Sequence, residues 1–165
     1  MILVSFLNKY PLPEDFIKLL PEKCDACNHP MAVNETLTNI FCTNDDCPKN
    51  LISRISLFFT LLDVRVSFAE IKAMIKAHPK MTSSLDIFKL PKPIFKDCPQ
   101  SIDDEIEQAK EMPLWVLVSL TGWIDAGKAY EYFSECKTIS EIKEQAKDKD
   151  KHTKRAVNEL ERMVN

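Results

Sequence analysis

Four cysteines constrain this chain more than any other feature. Cys24 and Cys27 are separated by two residues, fourteen residues follow, and Cys42 and Cys47 are separated by four. A two-residue spacing lets one turn offer two sulfurs to one ion, and zinc favours four thiolates in a tetrahedron. Asn28, directly after Cys27, suits such a knuckle because asparagine tolerates left-handed backbone. The spacing predicts one structural Zn2+ held by Cys24, Cys27, Cys42 and Cys47, with no open position for catalysis. Two other readings of the same residues are disulfides and an iron centre. His29 is a substitute ligand to consider, while Cys98 and Cys136 stand outside the pattern.

The length explains why a metal is expected. A chain of 165 residues buries enough surface to fold unaided, but a first lobe of 48 residues with few large apolar groups needs a staple. Apolar content of 45% with 28% charged residues reads as globular rather than disordered. The opening MILVSFLNKYPLPEDF has no basic leader, and its apolar run breaks at Asn8 before Pro11 and Pro13. Neither a secretion signal nor a membrane span is expected. An intracellular, cytoplasmic and reducing compartment follows as an expectation, and it counts against the disulfide reading.

Periodicity sets the rest of the architecture. ILVSF reads as a strand, Asp15 to Leu20 as a helical turn, and Thr36 to Phe41 as a strand between the cysteine pairs. From Pro48 the pattern turns helical, with proline at the first helical position and NLISRISLFFTLL apolar on nearly all sides. Ser67-x-x-Glu70 has capping-box spacing ahead of Phe68, Ile71, Met74 and Ile75. Leu85 to Leu90 reads as a short helical turn. Ser101-x-x-Asp104 caps the next helix, Met112-Pro113 interrupts it, and LWVLVSL forms another. GKAYEYFSEC is a further helix, Thr138-x-x-Glu141 opens one more, and Val157, Leu160 and Val164 share a face of the last. The expected fold is mostly α, with a small four-cysteine knuckle over residues 1–48 and a helical domain over 49–165.

Charge divides the chain unevenly. Residues 1–48 hold three Lys/Arg and seven Asp/Glu, 49–96 hold nine and three, and 97–165 hold ten and fifteen. Only the middle third suits phosphate, although lysines on a solvated helix face give the same count. The chain's two glycines both lie in Gly122-Trp-Ile-Asp-Ala-Gly127-Lys128. Such a turn between helices can aim backbone N–H groups at a phosphate, with Ile124 anchoring it to the core. Glycines also end helices for purely structural reasons, and Asp125 puts a negative charge at the tip.

Taken in order, these segments resemble the C-terminal part of bacterial NAD+-dependent DNA ligases, a four-cysteine finger followed by a helix-hairpin-helix domain. CDACNHP and FCTNDDCPKN, with Pro48 directly after the fourth cysteine, resemble the finger. FAEIKAMIKAHPKMTSSLDIFKL resembles the family's helix, spacer and Asp-aromatic-x-Leu turn, with Asp86, Phe88 and Leu90 in step and Ile87 intervening. Ala109, Lys110, Pro113 and Leu114 occupy its Ser-Lys-x-x-Pro-Leu pattern, and Gly122 and Gly127 keep the spacing of its Gly-Ile-x-x-Val-Gly hairpin. KAYEYFSECKTISEIKEQA is similar to the helix, Phe and short helix that follow. The resemblance spans residues 20–147.

The departures are equally specific. Val64 to Ser67, Asp97 to Ser101 and Asp150 to Thr153 stand where the family has further hairpins, and none has a glycine. No Lys-x-Asp-Gly nucleophile motif exists, because the residues before the two glycines are Thr121 and Ala126. The resemblance therefore implies a non-catalytic accessory subunit in a bacterial or phage-infected cell. Its partner chain would carry the adenylation and oligonucleotide-binding domains. Nicked double-stranded DNA would be held by Gly122, Ile124, Gly127, Lys128, Lys49, Arg54, Lys72 and Lys76. The competing expectation is a protein-interaction adaptor or inhibitor on a degenerate scaffold of this kind.

Overall fold

The computed structural model describes residues 2–7, 19–34, 39–95 and 100–164. It is mostly helical and divides into two compact units, Met1–Leu51 and Ile52–Asn165.

The first unit is a three-stranded antiparallel sheet of β1 (Ile2–Leu3), β2 (Met31–Val33) and β3 (Ile40–Cys42), in the order β1-β2-β3. Met31 faces Cys42 and Val33 faces Ile40 across the inner ladder. The expected strand ILVSF is only two residues long, because α1 (Val4–Leu7) turns the chain away before it can pair with Met31. Val4 is buried against Cys24, Met31, Val33, Cys42 and Cys47, so the cysteines form half of this small core. β2 carried no sequence signal of its own. β3 lies later than the expected strand, whose residues 36–38 fall outside the described residues, as does most of the expected turn from Asp15.

The helices that follow are α2 (Pro48–Leu61), α3 (Phe68–Ala77), a 3-10 helix (Ser84–Lys89), α4 (Gln100–Ala109), α5 (Leu114–Leu120), α6 (Ala126–Phe133), α7 (Ile139–Ala146) and α8 (Lys151–Val164). Pro48 opens α2 as expected. That helix is buried on one side only: Ile55, Phe58 and Phe59 are enclosed, while Leu57 and Leu61 stay about 40% exposed. Phe58 meets Phe88 edge-on at 5.4 Å, joining α2 to the 3-10 helix. In the second unit α5 packs on α6, and α8 packs on α5, α7 and the 3-10 helix. Val157 and Leu160 face this core, but Val164 is 49% exposed because the last turn of α8 runs past it.

Most helix starts are chemically legible. Ser67 Oγ accepts the Glu70 N–H at 3.2 Å, and Glu70 returns a carboxylate to the Ser67 N–H at 2.8 Å. Thr138 accepts the Glu141 N–H, but the Glu141 carboxylate reaches Lys137 rather than Thr138, so that box is not closed. Ser101 lies inside α4, one residue after its start, and not ahead of it. A capping box absent from the sequence expectations, Ser83 with Asp86, starts the 3-10 helix.

Candidate metal centre

The sulfurs of Cys24, Cys27, Cys42 and Cys47 all lie within 4.8 Å of one another, a set that could coordinate a metal ion. Cys24 approaches Cys47 at 3.6 Å and Cys27 approaches Cys42 at 3.3 Å, well beyond the ~2.05 Å of a disulfide. Backbone geometry brings them there. Asn28 takes the left-handed conformation at φ 61°, which lets its N–H reach the Cys24 carbonyl and the His29 carbonyl accept the Cys24 N–H. On the other side, Asn50 in α2 donates to the carbonyls of Cys42 and Asn44, fixing the second pair against the helix start. Thr43 Oγ1 donates to the Pro30 carbonyl at 2.7 Å, linking the pairs.

Electrostatics explains what the cluster requires. Burial pushes the Cys42 thiol up to about 12 and raises Cys47, whereas the His29 backbone N–H is the chief cause that holds Cys27 down to about 6. Buried sulfurs resist carrying charge together unless a cation compensates them. His29 is exposed and turns Nδ1 to the Cys27 carbonyl at 3.1 Å, so the four sulfurs converge without it. Among the described residues, this is the only group of three or more Cys, His, Asp or Glu side chains arranged to hold an ion. Cys136 is half-buried in the second unit, and Cys98 lies outside the described residues.

The residues expected at phosphate are distributed differently. Lys49 is exposed in the first unit and ion-pairs with Asp25, bridging the first knuckle to the start of α2. Lys72 and Lys76 stand exposed on α3. Arg54 departs from expectation: it is 7% exposed, with its guanidinium 4.0 Å from the centre of the Trp123 ring. The Trp123 ring draws it inward beside the buried Glu159 carboxylate, which accepts the Trp123 Nε1–H at 2.9 Å, and Arg155 stacks on the same ring at 4.3 Å. Burial is the chief cause raising the Glu159 carboxyl, and the hydrogen bonds from Trp123 and from Ser83 at 2.7 Å oppose it.

The glycine turn joins α5 to α6. Ile124 is buried, as an anchor should be. Gly122 has φ 77°, and a Cβ there would sit 2.9 Å from Arg54 Cβ, so glycine is needed for packing against α2. α6 begins at Ala126, and Asp125 caps it by accepting the Lys128 N–H at 2.8 Å. Gly127 and Lys128 are both exposed. Asp125 as a cap, and the Trp123–Glu159 network, were not anticipated as structural devices. Asp directly ahead of a helical run is a local signal for the first; nothing local marks the second.

Among the described residues, no helix is long and apolar enough to cross a membrane. No family model matches the chain, and neither the curated proteins nor the solved structures include a match to it.

Proposed function

We propose that the chain is a non-catalytic DNA-binding accessory subunit of an NAD+-dependent DNA ligase, made of a zinc-stapled knuckle and a helix-hairpin-helix-like domain. The observation that carries this reading is the cluster of four sulfurs within 4.8 Å, followed directly by the proline-started helix α2. A tetrahedron with Zn–S bonds of about 2.3 Å puts its sulfurs about 3.8 Å apart. The spacings of 3.3 and 3.6 Å, within an outer span of 4.8 Å, fit that figure. Zinc would hold the knuckle rigid and, with four thiolates bound, take no part in catalysis. Thiolate ligands suit a reducing, intracellular compartment.

In this reading the α5–α6 turn, shaped by Gly122 and Ile124, brings Gly127 and Lys128 to one phosphate of a nicked duplex. Lys72, Lys76 and Lys49 meet others, while Arg54 supports the turn from within. Adenylation and sealing belong to a partner chain that carries the nucleophilic lysine and the oligonucleotide-binding domain. The test is a salt series with the zinc-loaded chain and nicked duplex. Each phosphate contact contributes about 0.9 to the slope of log K against log salt, so Lys128→Ala lowers the slope by about that amount. A slope near zero in the parent chain ends the proposal.

One observation favours a second reading, a protein-interaction adaptor: the Asp125 carboxylate already occupies an N–H at the start of α6. Exposed Tyr130, edge-on to Trp115 at 5.1 Å beside the same turn, offers a surface to a protein. Asp125→Asn keeps a capping oxygen and removes the charge. Tighter duplex binding by that variant supports the ligase subunit; no duplex binding by either form supports the adaptor.

A further inference from the structure

We propose that the exposed face of α3 and the groove beside it bind a short unpaired, single-stranded stretch of nucleic acid. This deepens the nucleic-acid reading above and rests on it for Lys72 and Lys76, but needs neither a ligase partner nor the glycine turn.

Three observations meet on this face. Phe68 is 59% exposed at the first position of α3, a large apolar ring left in solvent. Lys72 and Lys76 follow at successive four-residue steps, and neither is in an ion pair among the described residues. Beside them runs a groove of about 410 Å³ with Ala69, Ala73 and Ala77 as floor and Ile94 and Phe95 as wall. Phe95 is steadied from behind by Phe59, with ring centres 5.7 Å apart. Among the described residues, Glu70 is the only acidic one lining the groove, and its carboxylate is turned to the Ser67 N–H.

Charge and shape select the occupant. A helix rises about 1.5 Å per residue, so Phe68, Lys72 and Lys76 follow one another at about 6 Å, a step close to that between nucleotides of an extended strand. Cations that track a backbone beside an aromatic face on which a base can stack are the two elements of sequence-tolerant single-strand binding. A duplex keeps its bases inside the stack and has no use for Phe68. An acidic peptide would satisfy the lysines but leave the ring and the alanine floor without a planar partner.

The experiment uses the zinc-loaded full chain with labelled oligothymidylate and oligouridylate of about 10 nucleotides, a blunt duplex, and polyglutamate of equal length. Phe68→Ala is expected to weaken oligonucleotide binding about tenfold, and Phe68→Trp to retain it. Both leave the thermal melt unchanged, because the ring is in solvent. Lys72→Ala with Lys76→Ala lowers the single-strand salt slope by roughly 1.4. The two oligonucleotides show whether the sugar is discriminated, and binding of either one supports the proposal. Oligonucleotide binding that ignores Phe68→Ala, polyglutamate binding of equal strength, or no oligonucleotide binding overturns it. Loss of duplex binding alone overturns the turn-based contact described above and leaves this groove standing.

Discussion

Gly122 and Gly127 are five residues apart in one turn, yet a methyl group would be felt very differently at each. At Gly122 it must accept φ 77° and press within 2.9 Å of the Arg54 side chain and 3.0 Å of its Cα. Left-handed strain costs about 1–2 kcal/mol and the overlap adds to it, so Gly122→Ala should lower stability by about 2–4 kcal/mol in denaturant titration. At Gly127 the only close neighbour is the Asp125 carboxylate at 3.1 Å, within an exposed helix start. Gly127→Ala should stay within about 0.5 kcal/mol of the parent, because better helix propensity offsets the tight contact. Equal losses at both positions would mean that the turn does not pack on α2 as described. Glu159 is the second residue with a measurable signature. Its carboxyl is raised above the ordinary 4.5 in the folded state, chiefly by burial. The folded chain therefore holds this proton more tightly than the unfolded chain, and stability from this group falls as pH rises above 4.5. On acidification from pH 7 toward 4.5, the parent should gain stability relative to Glu159→Gln. A pH-independent difference between the two would show that Glu159 is not desolvated.

At the level of elements, local chemistry was far easier to read than partnership. Ser67 with Glu70, Pro48 at a helix start and Asn28 in a knuckle each act within four residues, and the structure uses all three as the sequence suggests. The four sulfurs also converge, because close spacing within each pair leaves only one pairing of knuckles for the hairpin to make. What stayed hidden depends on distant neighbours. β2 is three residues that become a strand only by lying between β1 and β3. Arg54 reads as a surface cation in an apolar helix, and only Trp123, sixty-nine positions away, draws it inward. The capping arrangements differ in a way that mutation can expose. Ser67→Ala breaks a reciprocated pair, leaving the Glu70 N–H without its cap, and should cost about 1 kcal/mol. Thr138→Ala also removes one cap bond, but Glu141 keeps its separate bond to the Lys137 N–H. Combining Ser67→Ala with Glu70→Ala should therefore show coupling of about 0.5 kcal/mol or more in a double-mutant cycle, whereas Thr138 with Glu141 should be nearly additive. Additivity at both pairs would place the first box on the same footing as the second.

At the level of the whole molecule, the two units stand on different foundations. The core of Met1–Leu51 is Val4, Met31 and Val33 together with Cys24, Cys42 and Cys47, with Leu20, Cys27 and Ile40 packed around it. Three of the six residues in that cluster are thus cysteines that could hold an ion, and a strand ladder of two or three residues adds little. The second unit has a large apolar core of its own, and among its described residues no such ligand cluster occurs: Phe58, Phe59, Ile71, Leu85, Ile106, Leu120, Phe133, Ile142 and Leu160 are all fully buried within it. Binding energy at a four-thiolate site is folding energy, since the unfolded chain offers no preformed cage. Chelation should therefore melt the first unit and spare the second. Hydrogen exchange after chelator addition would show it: amides of Met31 to Val33 and Ile40 to Cys42 should lose protection, while those of α5 to α8 keep theirs. Acid should act in the same direction, because protons compete with the ion for the sulfurs, and the loss should appear before the helical unit gives way. Retained protection of the short sheet without metal would show that its apolar side chains suffice. Simultaneous loss throughout the chain would show that the helical unit leans on the knuckle for its own stability.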